Sequence, residues 1–93
     1  MKFNPGKFVA TPVALAAVAR TDIDAAIARH LEGDWGDITD ADKQRNDLAL
    51  KNGGRLLSSY HARAADEPEQ TIKFWIITEP DRSATTVLLL DEY

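Results

Sequence analysis

The sequence contains no cysteine, and this absence excludes several kinds of chemistry at once. Disulfide bonds, thiolate nucleophiles and zinc sites with cysteine ligands cannot form. The chain has only two histidines, His30 and His61, so a zinc site made of protein side chains would need carboxylates as well. No complete cofactor or metal motif is present, and the lack of cysteine is typical of a reducing compartment, so we expect a cytoplasmic location.

Long apolar runs are also missing. A helix needs roughly 20 consecutive apolar residues to cross a membrane, and no stretch approaches this length. The alanine-rich segment 13–19 follows Pro12 and lacks the strongly apolar core of a secretory signal peptide, so we expect no leader and no membrane contact. The 93 residues suffice for one modest core, which predicts a single domain over residues 1–93.

Acidic residues, in contrast, are concentrated in one region. The chain has a net charge of −4. Residues 21–50 hold eight acidic against three basic residues, a net charge of −5, so the rest of the chain is close to neutral. An acidic surface repels phosphate, which argues against nucleic acid as a partner. Such a surface could bind a basic protein, although a solvated helical surface explains the same charge.

Three helices are predicted in the first half of the chain. The segment 11–20 opens with Thr-Pro, a favourable N-cap followed by a favourable first helical residue. The segment 21–33 opens with threonine and ends in a glycine suited to a left-handed cap, and the segment 39–53 opens with a third threonine and ends at Asn-Gly-Gly. Apolar spacing assigns to the core Ile23, Ile27 and Leu31 of the second helix and Leu48 and Leu50 of the third.

Three strands are predicted in the second half. Segments 56–63, 71–78 and 84–90 alternate or are rich in β-branched and apolar residues, and polar turns separate them. Gly6 to Ala10 could add a short edge strand. We therefore predict an α+β fold in which two or three N-terminal helices pack on one face of a three-stranded antiparallel β-meander.

The polar segment 79–83, Glu-Pro-Asp-Arg-Ser, lies between the last two predicted strands. Pro80 and Asp81 fit the central positions of a type I turn, which is the favoured interpretation. The functional alternative makes Glu79, Asp81 and Arg82 an acid and electrophile set within a pocket.

The segment 33–37, Gly-Asp-Trp-Gly-Asp, is predicted to form a compact loop. Two carboxylates three residues apart could bind a hard cation, but no further ligand pattern follows. Trp35 either anchors the loop to the core, which is the favoured interpretation, or contacts a partner. The candidate binding surface combines both polar segments, and consists of Asp34, Trp35, Asp37, Glu79, Asp81, Arg82 and Ser83.

The histidines offer a weaker catalytic hypothesis, and we assign no catalytic residue. His61 could join Ser58 or Ser59 and a distant aspartate in a triad, but no G-x-S-x-G motif supports it. His30 falls near a helix C-terminus, where positive charge is favourable.

Three segments, ARHLEGDWGDI (28–38), GGRLLSSY (53–60) and WIITEPDRSATTVLLLDEY (75–93), resemble a family of short bacterial proteins described as hypothetical or plasmid-related. Members share GDWG and WIITE-x-DRS-x-TT motifs, and some carry a label linking them to type I restriction systems. The resemblance implies a gene on or near a mobile element and draws interest to the two polar loops. If the loops meet, Asp34 or Trp35 would contact Arg82, either as a polar surface or as a structural pair that joins helices to sheet.

The leading hypothesis is a small non-enzymatic protein-interaction module. It would bind an unidentified protein through the acidic helical region and the GDWG loop, as a monomer or a homodimer, because sheet edges are predicted to be open. A narrower version of this hypothesis is an anti-restriction role through DNA mimicry, for which the net negative charge of the chain is low.

Two enzymatic alternatives remain open. A strand, helices and a meander is also the element order of RelE/ParE-like plasmid toxins, some of which cleave messenger RNA with basic side chains. The side chains available here for that role are Arg55, Arg63, Lys73 and Arg82, with His61 and Tyr60. A small metal-dependent hydrolase would instead require Asp34, Asp37, Glu79 and Asp81 to converge.

Overall fold

The computed structural model describes residues 1–92; Tyr93, which closes the family-like C-terminal segment, lies outside the described residues. The elements in chain order are β1 (Lys7–Ala10), α1 (Pro12–Ala17), α2 (Arg20–Leu31), α3 (Asp40–Asn52), β2 (Leu56–Arg63), β3 (Thr71–Thr78), β4 (Ala84–Leu89) and a 3₁₀ turn, Leu90–Glu92. The predicted α+β class is confirmed. None of the helices within residues 1–92 has the length and apolar character that crossing a bilayer requires.

The sheet has four strands in the order β1-β4-β3-β2. Strands β2, β3 and β4 form the predicted antiparallel meander, but β1 lies parallel to β4, with Val9 opposite Thr86. The sheet is therefore mixed, and the prediction of a purely antiparallel three-stranded meander was too narrow. Side-chain alternation sets which face a residue occupies and carries no information on strand direction, which is why the sequence left this open.

Two of the three predicted helix starts are confirmed. The hydroxyl of Thr11 accepts a hydrogen bond from the N–H of Ala14 at 3.1 Å, and Thr39 caps α3 through the N–H of Asp42 at the same distance. The third start was wrong: α2 begins at Arg20, and Thr21 lies inside the helix.

The break between α1 and α2 explains this error. Val18 has an extended backbone (φ −110°, ψ 136°) and forms an antiparallel bridge with Ala64, at the end of β2. The first helix therefore ends at Ala17 rather than at Arg20, and Ala19 becomes the N-cap of α2 without any side-chain hydrogen bond. A tertiary contact overrides the local capping signal here.

The helices cover one face of the sheet. The main core cluster joins α1 and α2 to inward side chains of all four strands, and its buried members include Ala14, Val18, Ile23, Ala26, Tyr60, Phe74, Ile76 and Val87. A second cluster joins α3 to the GDWG loop through Trp35, Ala49 and Leu56. The assignment of Leu48 to the core was wrong, because 60% of its surface is exposed and Asn46 and Ala49 take the buried positions of α3.

The opposite sheet face has a different character. Ile77 and Leu88 are buried on this face, yet neither belongs to a core cluster of the described residues. They are screened by neighbours within the sheet, since the register places Leu57 beside Ile77 and Trp75 beside Leu88. The prediction that helices cover one sheet face agrees with this arrangement.

Candidate functional site

The segment 79–83 is a tight turn between β3 and β4. The N–H of Arg82 donates to the Glu79 carbonyl at 2.9 Å, which closes the predicted turn around Pro80 and Asp81. The N–H of Ser83 donates to Oδ1 of Asp81 at 3.0 Å. Hydrogen bonding from Ser83, first from its side chain and then from its N–H, holds the pKa of the Asp81 carboxyl below its ordinary value. These contacts stabilise a turn.

Arg82 holds this turn against α3. Its guanidinium donates from Nη1 to the Gly54 carbonyl at 2.6 Å and from Nη2 to the Ala49 carbonyl at 3.0 Å. The Ala49 carbonyl also accepts from the N–H of Gly53, and carbonyls at the end of a helix carry partial negative charge, so the Arg82 cation stabilises the C-terminal end of α3. Arg82 has a positive φ of 61°, a strained backbone for a non-glycine residue that these bonds help to hold.

The GDWG loop (residues 33–37) is attached to α2 and β2. The carboxylate of Asp34 forms a two-point ion pair with Arg29, at 2.7 and 3.1 Å, and this pair holds the pKa of Asp34 below its ordinary value. The Arg29 guanidinium lies 4.8 Å from the ring centre of Tyr60, whose hydroxyl donates to the Asp34 carbonyl at 2.6 Å. Desolvation raises the pKa of Tyr60 to about 12.

Trp35 anchors the loop. Only 3% of its surface is exposed, and its Nε1–H donates to Oδ1 of Asp47 on α3 at 3.1 Å. The indole stacks near Phe3 and meets the His30 ring edge-on, with centroids 6.5 and 5.5 Å apart. Of the two interpretations left open by the sequence, burial favours the structural anchor, since a buried indole presents no surface to a partner.

The two polar loops are connected indirectly. Asp34 pairs with Arg29, and Arg82 binds the carbonyls at the end of α3, so the hypothetical Asp34–Arg82 pair is replaced by two separate ones. Phe3 lies between the loops, stacked near Trp35 and 5.8 Å below the Arg82 guanidinium. This role of Phe3 could not be predicted, because an isolated aromatic residue outside any predicted element belongs to no sequence pattern.

Asp37 meets His61, as one version of the triad hypothesis requires. Nδ1 of His61 lies 2.5 Å from Oδ2 of Asp37. However, the hydroxyl of Ser59, two residues along the strand, makes no hydrogen bond within residues 1–92 and is buried. Ser58 contacts His30 instead. The described residues therefore contain an Asp–His pair without an activated serine.

His30 lies at the centre of a buried hydrogen-bond chain. Thr85 donates to the Pro5 carbonyl at 2.7 Å, so it accepts from Thr78 at 2.8 Å, and Thr78 in turn accepts from Nε2–H of His30 at 2.9 Å. Nδ1 of this neutral ring then accepts from Ser58. Desolvation lowers the pKa of His30 to about 4, so the expectation of a favourable positive charge was wrong.

Three of the four acids proposed for a metal site have separate partners. Asp34 binds Arg29, Asp37 binds His61, and Asp81 accepts from Ser83. No group of three or more potential ligands among residues 1–92 is arranged to hold a metal ion. The convergence that the hydrolase alternative requires is not found in this part of the chain.

Three different elements cover the outer edge of β2 at three of its four outward positions, Leu57, Ser59 and Arg63, and His61 is the fourth. The Asn46 side chain of α3 donates to the Leu57 carbonyl at 2.7 Å and accepts from its N–H at 3.2 Å. The GDWG loop supplies the Trp35 carbonyl and the Asp37 N–H to Ser59. At Arg63, the N–H donates to Asp22 and the carbonyl accepts from the N–H of Ala19. At each of these three positions, the N–H and the carbonyl are therefore both hydrogen-bonded to groups outside the strands of the sheet.

The second glycine of GDWG makes this closure sterically feasible. Gly36 has a φ of 73° and bridges Ser59, and a Cβ at this position would lie 2.1 Å from the Ser59 carbonyl oxygen. Only glycine combines the left-handed backbone with such a close approach. The GDWG loop therefore serves to cover a sheet edge.

The opposite edge, β1, has no strand beyond it in the described sheet. The N–H of Lys7 donates to the carbonyl of Ser83, just before β4, and the N–H of Thr11, just after β1, donates to that of Val87, at 3.0 Å each. Phe8 and Ala10 therefore direct their N–H and carbonyl groups outward. Between this edge and α2 lies a groove of about 190 Å³, named here the β1 groove and lined by Phe8, Val9, Ala10, Leu15, Arg20, Ile23, Asp24, Ile27 and Val87.

The acidic region is largely compensated within the fold. Six of the eight acids in residues 21–50 contact a basic group, namely Asp22, Asp24, Glu32, Asp34, Asp37 and Asp42. A seventh, Asp47, accepts the hydrogen bond from Trp35. The acidic residues of this region therefore form local pairs with basic groups as much as they form a charged surface.

Comparison with known proteins adds no further constraint. Neither protein-family models, nor curated proteins, nor solved structures give a match to this chain.

Proposed function

We propose that this protein is a small protein-interaction module that binds its partner through the β1 groove. The observation that carries the proposal is the exposure of two large apolar side chains at one concavity, Phe8 at 51% and Leu15 at 46%, beside Val9 of the same edge strand, which is 40% exposed. Scattered apolar residues are common on protein surfaces, but a set that shares a groove is typical of an interaction site.

The lining of the groove suits binding better than catalysis. Its charged members, Arg20 and Asp24, pair with each other at 3.5 Å. The remaining lining is apolar, and the adjacent backbone of Phe8 and Ala10 offers hydrogen-bonding groups. A partner that supplies apolar side chains and an extended backbone would satisfy both features.

The surface inferred from the sequence supports an interaction function less directly. Trp35 is buried, and most acids of the helical region already have basic partners. Asp81 and Arg82 are engaged in the turn and in the end of α3. We therefore place the proposed binding surface at the β1 groove, in the mobile-element context that the family resemblance implies.

The toxin alternative receives less support than the interaction module. Arg82 binds the α3 carbonyls, only 2% of Tyr60 is exposed, and Arg63 is paired with Asp22. Half of the side chains considered for RNA cleavage are thus committed to structural contacts.

A site-specific crosslinking experiment tests the proposed function. A photoreactive amino acid replaces Leu15 in the groove, or Val13, which is 52% exposed on α1 but does not line the groove, as the matched control. After irradiation in bacterial lysate, adducts are identified by mass spectrometry and the complex is reconstituted from purified components. A protein adduct, with the chain itself or with another protein, that forms at position 15 and not at 13 is expected. Equal or absent labelling at both positions would contradict the proposal.

A further inference from the structure

We infer that the partner seated on the β1 edge is a second copy of this chain, with the two β1 strands paired antiparallel about Val9. The inference rests on the proposed function and specifies its partner. The result would be a continuous eight-stranded sheet across a twofold axis, because each copy contributes four strands.

The two sheet edges differ in how their outward backbone groups are bonded. Three of the four outward positions of β2, all except His61, have both backbone groups bonded to a side chain, a loop or a helix terminus. At β1, Phe8 and Ala10 direct theirs outward with no strand beyond them among residues 1–92. Open edge strands pair readily with other strands, and charge or proline commonly protects them. Within β1 only Lys7 is charged and no proline occurs.

The register between the two β1 strands decides which backbone groups can pair. If Phe8 of one copy lies opposite Ala10 of the other, all outward groups of both residues pair and four hydrogen bonds form. Pairing Ala10 with its own counterpart would place Phe8 opposite Pro12, which has no N–H. Pairing Phe8 with its counterpart would place Ala10 opposite Gly6, whose N–H already donates to the Asn4 side chain at 2.9 Å. Of these three registers, only the one with Phe8 opposite Ala10 therefore pairs all the outward backbone groups of both residues.

The side chains of the two copies also fit together in this register. Phe8 faces the small Ala10 of the other copy, on the sheet face that the helices cover. There the β1 groove offers Leu15, Ile23 and Ile27 to the incoming ring. Val9 meets its own counterpart on the axis, and Lys7 lies opposite Thr11 rather than opposite a second lysine. Large side chains thus meet small ones and like charges stay apart.

Charge-swap variants at the axis test this register. Sedimentation velocity of the full chain, from low micromolar to near-millimolar concentration, is expected to show a monomer–dimer equilibrium. Val9→Lys and Val9→Glu would each place two like charges on the axis, and each is expected to sediment as a monomer over the same range. An equimolar mixture is expected to recover the dimer, which also shows that both variants fold. Val13→Lys, exposed outside the groove, is the control and should dimerise like the unmodified chain.

Two results would overturn the inference. One is an unmodified chain that stays monomeric throughout the concentration range. The other is a Val9→Lys variant that dimerises as tightly as the unmodified chain, which would assign the dimer to another surface. A monomer that still gives groove-specific adducts with another protein would retain the proposed function while excluding the second copy, so the two failures are distinguishable.

Discussion

The side-chain amide of Asn46 binds both backbone groups of Leu57, donating at 2.7 Å and accepting at 3.2 Å. One helical side chain therefore occupies the hydrogen-bonding position that a neighbouring strand would take. The GDWG loop acts in the same way at Ser59, where backbone groups of residues 35 and 37 replace a strand. The α3 side chain and the GDWG loop thus have the same physical effect, since each covers part of the β2 edge.

Replacing Asn46 with alanine removes both hydrogen bonds. Leu57 borders a groove of about 440 Å³, so water can reach the released groups, and we expect a loss of about 1–2 kcal/mol in the free energy of unfolding. Asn52→Ala is the matched control, since Asn52 lines the same groove but is exposed. Urea unfolding measures both. Equal effects of the two substitutions would contradict the assigned role of Asn46.

Gly36→Ala tests the close approach of the GDWG loop to β2. A left-handed alanine costs about 1–2 kcal/mol at any such position, and the contact with Ser59 is expected to add about 2 kcal/mol. Gly53→Ala is the control, because Gly53 has a similar φ of 79° but a Cβ there would have no atom within 4 Å. Gly36→Ala should therefore destabilise the fold clearly more in thermal or urea unfolding, and similar losses for both would disprove the steric role.

Arg82→Lys tests the contact of the turn with α3. A lysine ammonium cannot reproduce the fork that reaches the Gly54 and Ala49 carbonyls together, so we expect a loss of about 1–3 kcal/mol. Arg45→Lys changes an exposed ion pair in α3 and should alter stability by less than about 0.5 kcal/mol. If the two variants unfold at the same urea concentration, Arg82 does not link the turn to the helix.

The buried His30 predicts a specific pH dependence. Its pKa in the fold is about 4, below the ordinary value of 6.5, so the unfolded chain binds more protons between these values and stability falls as the pH is lowered. The loss across this interval is of the order of 3 kcal/mol. The measurement uses a His61→Gln background, in which His30 is the only histidine. Adding His30→Gln should remove the slope between pH 6.5 and 5, and its persistence would show that His30 is not responsible.

Local signals predicted the elements of the fold well. The threonines at 11 and 39 cap helices through bonds to the N–H three residues onward, and the alternation in β2 and β3 indicated their buried faces. The errors arose where a distant contact competes with a local signal. Val18 lies outside the predicted helix because it forms a β-bridge with Ala64. In α3, Asn46 rather than Leu48 is buried, because its side chain hydrogen-bonds the backbone at the edge of β2.

The candidate site was less predictable. GDWG and EPDRS were singled out correctly as loops, but their partners, Ser59 for Gly36 and the α3 carbonyls for Arg82, lie more than 20 residues away in the chain. The β1 groove was missed because its exposed members, Phe8 and Leu15, belong to separate short elements. Two adjacent apolar residues in the predicted edge strand, Phe8 and Val9, were the signal that could have indicated it.

Amide hydrogen exchange followed by NMR compares the two sheet edges in a single experiment. At low protein concentration the amides of Leu57, Ser59 and Arg63 should be protected, and those of Phe8 and Ala10 should exchange rapidly. As the concentration rises, Phe8 and Ala10 should gain protection together while the β2 amides remain unchanged. Rapid exchange at Leu57 and Ser59, or exchange at Phe8 and Ala10 that does not depend on concentration, would contradict the account.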